Sequence, residues 1–169
     1  MPSLRFFCDE QLGKLARWLR VIGQDTAYER AIADSDLIAR AAAEGRTILT
    51  RDHRLPERAR KIHPPDAAGP DRAPQIIILA ENYPALQLRE VVGRFRDHIL
   101  ISVFSRCPVC NAATAPVAKA EVVGRVPPFV FATQEDFTRC PGCGRVYWQA
   151  THRDRVDVVL KDLLNIAAR

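Results

Sequence analysis

Four cysteines in two Cys-x-x-Cys pairs, Cys107-Pro108-Val109-Cys110 and Cys140-Pro141-Gly142-Cys143, carry the most explicit chemistry in this sequence of 169 residues. A tetrahedral Zn²⁺ site takes four soft thiolates, and each pair delivers two of them from one tight turn. Asn111 and Gly144, the residues that follow the pairs, tolerate the left-handed backbone that turns amide N–H groups towards the sulfurs. The 29 residues between the pairs (111–139) leave room for a small antiparallel sheet, so a zinc ribbon is expected over residues 102–152. Disulfides or reduced core thiols are the alternative. Nothing resembling a signal peptide opens the sequence, and thiols kept reduced in the cytoplasm favour the metal. Without its zinc such a ribbon is expected to unfold while the rest of the chain keeps its structure.

The second set of reactive groups is acidic. Asp9 and Glu10 follow the apolar run Leu4 to Cys8, and Asp52 follows the β-branched run Thr47 to Thr50. Both runs read as buried strands. Asp34 and Asp36 stand where a helix carrying Leu37, Ile38 and Ala41 begins, and either can be no more than a helix cap. Carboxylates gathered without a cation between them repel, and a hard ion such as Mg²⁺ or Mn²⁺ resolves the repulsion. Ions of that kind polarise a phosphodiester and activate water, so phosphodiester hydrolysis is the expected chemistry.

These groups need elements to hold them. Leu12, Leu15, Ala16, Leu19 and Ile22 have helical spacing after the first strand, with Gly23 as C-cap, and a short strand is expected over 25–28. A helix to Gly45, the strand 47–50, a strand at 75–79 and a helix opened by Pro84 complete an alternation of strand and helix. Such alternation makes a three-layer α/β sandwich around a parallel sheet. Functional crevices of such sheets lie at the carboxyl ends of the strands, where Asp9, Glu10 and Asp52 fall, whereas the start of the Asp34 helix can lie on either rim. Residues 63–74 are Pro-rich and read as a surface loop, and 154–168 show the apolar spacing of a docked terminal helix.

The net charge is +5, and most of the cations are arginine, which forks onto phosphate. Nucleic acid is therefore the expected partner class. Lys14, Arg17 and Arg20 recur every three residues on the first helix, either as a solvated face or as a rail for a phosphate backbone; Arg51 is a further candidate contact. His53 in a polar turn is read as exposed. No apolar run is long enough to cross a bilayer, and a cytoplasmic protein is expected.

Phe7 to Arg20 (Phe-Cys-Asp-Glu-Gln-Leu-Gly-Lys-Leu-Ala-Arg-Trp-Leu-Arg), Leu49-Thr50-Arg51-Asp52, Gln87-Leu88-Arg89, Phe104 to Asn111 around the first cysteine pair, and Cys140 to Trp148 with Thr151-His152 together resemble the Mut-seven C-terminal ribonuclease family. The resemblance implies a PIN-like nuclease domain over 1–101, with a zinc ribbon and terminal helix over 102–169. It implies a metal-dependent ribonuclease with Asp9, Asp34 and Asp52 as catalytic acids, Asp9 and Asp52 holding Mg²⁺ or Mn²⁺, and Cys107, Cys110, Cys140 and Cys143 holding zinc. The place of a further acid corresponds to Glu81 or Asn82. The competing reading is a non-catalytic RNA-binding or ribosome-associated module, with Tyr147-Trp148 either stacking on bases or packing in the core. A phosphoacceptor receiver domain also places acids after its first strand and near position 52, but needs a lysine at a later strand end; none occurs between Lys61 and Lys119.

Overall fold

A strand buried on both faces starts the fold. In β1 (Arg5–Cys8) the side chains of Phe6 and Cys8 face one side of the sheet and Phe7 the other, and all three are buried, as a strand covered on both faces requires. The computed structural model describes residues 4–63 and 73–148. Most of the Pro-rich stretch, the expected helix over 154–168, and Thr151-His152 lie outside the described residues.

β1 leads through a 3₁₀ turn (Glu10–Leu12) into α1 (Gly13–Val21), then β2 (Asp25–Tyr28), α2 (Asp34–Glu44), β3 (Thr47–Thr50), α3 (Leu55–Ile62), β4 (Ile76–Ile78) and α4 (Pro84–Arg94). The four strands form one parallel sheet in the order β2-β1-β3-β4, with Phe7 opposite Ala27 on one side and Ile48 on the other. Leu15, Leu19, Leu88 and Val91 of α1 and α4 pack on the Phe6 face, and Leu37, Ile38, Leu55 and Ala59 of α2 and α3 on the Phe7 face. The expected three-layer α/β sandwich is thus borne out.

One helix departs from the sequence reading, which leaves residues 53–62 unassigned. Leu55 and Ala59, four apart on either side of Pro56, bury one narrow stripe of α3, and the other positions are mostly charged. So polar a segment forms a helix because two apolar contacts and an N-terminal proline suffice at the sheet surface.

The second sheet is antiparallel, in the order β5-β6-β7, from Ala115–Val117, Phe137–Arg139 and Val146–Trp148. A 3₁₀ turn (Lys119–Val122) and α5 (Pro128–Thr133) lie between β5 and β6, and Val122, Val126, Val130 and Phe137 close a small core beneath them.

This part is fastened to the α1–β2 edge. Ser102 and Phe104 donate backbone N–H bonds to the carbonyls of Ile22 and Val21, and the Gln24 side chain donates to Leu100 O at 2.7 Å. Gly23 (φ +92°) lies under this crossing, and a Cβ there would come within 2.6 Å of Ser102 O.

Candidate metal centre and acidic crevice

Both cysteine pairs adopt the same turn. Asn111 N donates to Cys107 O at 3.0 Å and Gly144 N to Cys140 O at 2.9 Å, while Cys107 N and Cys140 N each donate at 2.8 Å to the carbonyl five residues on. Asn111 (φ +67°) and Gly144 (φ +71°) take the left-handed backbone that the spacing predicts. The four sulfurs lie within 4.8 Å of one another, with Cys107–Cys143 at 3.6 Å and Cys110–Cys140 at 3.3 Å. Zinc–sulfur bonds of about 2.3 Å in a tetrahedron put sulfurs about 3.8 Å apart, so the quartet fits one zinc ion. Cys107 and Cys140 are buried, and Cys110 and Cys143 face solvent.

Burial raises the Cys107 thiol, but the Tyr147 hydroxyl, the amides of Cys110 and Val109 and the Cys143 thiol outweigh it and bring the pKa down to about 6. Burial pushes Cys140 up to about 12. Tyr147 shares a 3.0 Å hydrogen bond with Cys107 Sγ and stacks on Phe104, with ring centroids 5.7 Å apart. Its ring is therefore committed to packing, while Trp148 lies against the Val122–Phe137 core.

Arg20 departs from the exposed rail expected on α1. Lys14 and Arg17 are exposed, but Arg20 is 7% exposed, and its Nε donates to Thr26 O at 2.8 Å. Its Nη1 donates to Val109 O at 2.9 Å and to Pro108 O at 3.3 Å, inside the first cysteine turn. Asn111 joins the same seam: its Nδ2 donates to Asp25 Oδ1 and its Oδ1 accepts from Thr26 N. Asp25 also accepts from Arg46 Nη1 at 2.7 Å and lies 3.4 Å from Arg106 Nη2. A buried guanidinium thus ties the cysteine turn to the parallel sheet instead of standing on an exposed rail.

The acids gather at the other end of the sheet. β1 feeds α1 on one face, whereas β3 feeds α3 on the opposite face, so the chain parts between these neighbouring strands and opens a crevice beyond their carboxyl ends. Asp9 and Asp52 stand on its two sides. Thr50, at the end of β3 and fully buried, donates its hydroxyl to Asp9 Oδ2 at 2.6 Å and accepts from Asp52 N at 2.9 Å. Asp9 Oδ1 accepts from Glu10 N at 2.6 Å.

Asp34 lies on the same rim, because α2 starts just beyond the carboxyl end of β2 and only then runs back along the sheet. It is the first helical residue rather than the cap; the N-cap is Ala33, with no side-chain cap bond. Its carboxylate instead accepts from Arg58 Nη1, which also donates to Asp52 Oδ2 at 2.6 Å. The Arg54 amide is the first cause that holds the Asp52 carboxyl below its usual range; burial opposes it, and Arg58 adds to it.

Arg58 is the participant that the sequence reading misses. Its signal is weak, one arginine among several on a helix with little apolar pattern. Lys14, Arg17, Arg51 and His53 are exposed near these elements. After β4, Glu90 of α4 takes the backbone N–H groups of Ala80 and Glu81, so two further acids stand at that strand end. Among the described residues the cysteine quartet is the only group of three or more His, Cys, Asp or Glu side chains with ligand atoms within 4.8 Å of one another. Asp34 and Asp52 nevertheless converge on one cation, the Arg58 guanidinium, and that shared pole is the observation by which the pair fits a divalent ion.

A family model described as the Mut7-C RNAse domain matches residues 4–160, nearly the whole chain. Neither the curated proteins nor the solved structures include a match to it. No helix among the described residues is long and apolar enough to cross a membrane.

Proposed function

Because the chain belongs to the Mut7-C RNAse domain family, we propose that it is a metal-dependent ribonuclease of the reducing cytoplasm, cutting RNA phosphodiester bonds at Asp9, Asp34 and Asp52. The single observation that carries the reading is the Thr50 hydroxyl, which links Asp9 and Asp52 across the crevice between β1 and β3. On this reading residues 1–101 are assigned to the nuclease part and 102–169 to the part that carries the zinc ribbon, with Cys107, Cys110, Cys140 and Cys143 as ligands of a structural zinc.

Asp9 and Asp52, with Asp34 beside them, would hold Mg²⁺ or Mn²⁺, which when bound would supply an activated water and charge stabilisation for the phosphodiester. The chain's own residues prepare the place. Thr50 and the Glu10 amide fix the Asp9 carboxylate in one orientation, leaving lone pairs on each oxygen. The Arg54 amide fixes Asp52, and its lowered pKa keeps it ionised at neutral pH. Lys14, Arg17 and Arg51 supply exposed positive charge for the RNA backbone.

The second reading, an RNA-binding ribbon without catalysis, has one supporting feature: Phe129 on α5 is 75% exposed. An exposed ring of that kind can stack on a base. Labelled single-stranded RNA incubated with the protein and Mg²⁺ separates the readings. Cleavage that requires added Mg²⁺ while zinc stays bound supports the ribonuclease, and retained RNA binding without cleavage supports the binding module.

A further inference from the structure

One guanidinium nitrogen, Arg58 Nη1, is hydrogen-bonded to two carboxylates from different elements, Asp34 at the start of α2 and Asp52 after β3. Two of the three proposed acids therefore already share a cation that belongs to the protein. Resting on the ribonuclease reading, we propose that Arg58 is a built-in counterion of the acidic crevice, which holds Asp34 and Asp52 together and which a divalent ion must displace.

The geometry and the charges both carry this. Asp34 and Asp52 lie far apart in sequence and would repel; a positive charge hydrogen-bonded to both cancels that repulsion and sets their separation. The oxygens concerned, Asp34 Oδ2 and Asp52 Oδ2, are those pointed at a common centre. A divalent ion taking that centre would stand beside the guanidinium's own positive charge, and the repulsion between them favours displacement of Arg58.

Displacement is also feasible. The side chains of Arg58, Asp34 and Asp52 are 42%, 42% and 29% exposed, so water screens the pairs and the guanidinium can swing out on a flexible stem. Arg54 N keeps its bond to Asp52 Oδ1 at 2.8 Å, so Asp52 stays placed when Arg58 leaves. Asp9 is held separately, by Thr50 and Glu10, and does not depend on the exchange. Arg58 is thus a positioning residue for two acids and a competitor for the ion.

Calorimetric titration of MnCl₂ into the full chain, with zinc present and thiols reduced, tests this in wild type, Arg58→Gln and Arg58→Lys. Loss of the competing charge should tighten Mn²⁺ binding by about tenfold in Arg58→Gln, whereas Arg58→Lys, which keeps the charge, should stay within about threefold of wild type. In wild type, Mg²⁺ should also move the Arg58 side-chain N–H resonance as its carboxylate partners are lost, a readout that needs no folded variant. Equal or weaker Mn²⁺ binding in Arg58→Gln, or an Arg58 resonance unmoved by saturating Mg²⁺, overturns the proposal and leaves the ribonuclease reading standing. Absence of Mn²⁺ binding in wild type and Arg58→Gln alike overturns both.

Discussion

Arg20 and Val109 are 89 residues apart in the chain and 2.9 Å apart in space, joined by a hydrogen bond from the guanidinium to a carbonyl inside the first cysteine turn. The bond makes the first cysteine turn part of the support of α1. With Asn111 bonded to Asp25 and to Thr26 N, the turn closes the outer edge of β2, which among the described residues has no strand neighbour on that side. These bonds argue against the sequence-based expectation that the α/β part keeps its structure when the ribbon loses its metal.

Removal of the metal should loosen α1 and β2 together with the ribbon. Cys140→Ser, or chelation of zinc, is expected to lower the melting temperature of the whole chain and to speed amide exchange over residues 20–28. Exchange there that matches the zinc-loaded wild type, with only residues beyond 102 affected, would show two independent units.

Arg20→Met removes three hydrogen bonds from a buried guanidinium and leaves the carbonyls of Thr26, Pro108 and Val109 short of a donor. The cost should be about 3 kcal/mol in a urea titration. Arg20→Lys should recover little, because one ammonium cannot reach Thr26 and Val109 together. A loss below about 0.5 kcal/mol, the scale of a surface change, would place Arg20 among solvated residues.

Asp25 gives the seam a pH dependence. Burial raises its pKa, but hydrogen bonds from Arg46 and Asn111 and the charges of Arg46 and Arg106 outweigh this, and the folded value lies below the ordinary one. A carboxyl depressed on folding stabilises at pH above its unfolded pKa of about 3.9, and that contribution is lost as pH falls through the folded value. Melting curves from neutral to acid pH should therefore converge for wild type and Asp25→Asn at low pH and separate above about pH 4, with wild type the more stable. Parallel curves would contradict the pairing.

Thr50→Val keeps the shape of a fully buried side chain but leaves Asp9 Oδ2 and Asp52 N without their shared partner. Stability should fall by about 1–3 kcal/mol, and RNA cleavage should fall more than RNA binding. Thr50→Ser, which retains the hydroxyl, should recover most of both. Equal cleavage by Thr50→Val and wild type would remove Thr50 from the site's support.

Much of this arrangement was legible in the residue pattern. Apolar runs ending in Asp9 and Asp52 mark two parallel strands because a strand covered on both faces leaves no room for polar side chains until it ends. The cysteine turns were legible because metal ligation demands fixed spacing. Arg20 was misread for a geometric reason: steps of three residues on a helix fall about 60° short of a turn, so from Lys14 to Arg20 the stripe rotates by about 120° and enters the buried side. Arg58 and the rim position of Asp34 were not legible, since both depend on how α2 and α3 lie together on one sheet face, a tertiary relation with no local signature.

The most direct measurement is cleavage of labelled single-stranded RNA in Mn²⁺, Mg²⁺ or EDTA by wild type, Asp9→Asn and Asp52→Asn, purified identically. Each substitution keeps the side chain's size and removes the charge that would hold a divalent ion. Cleavage by wild type is expected in either metal and not in EDTA; both variants should lose it by at least about a hundredfold while still folding and binding RNA. Cleavage that persists in both variants, or that proceeds in EDTA, would contradict a metal-dependent ribonuclease site at these acids.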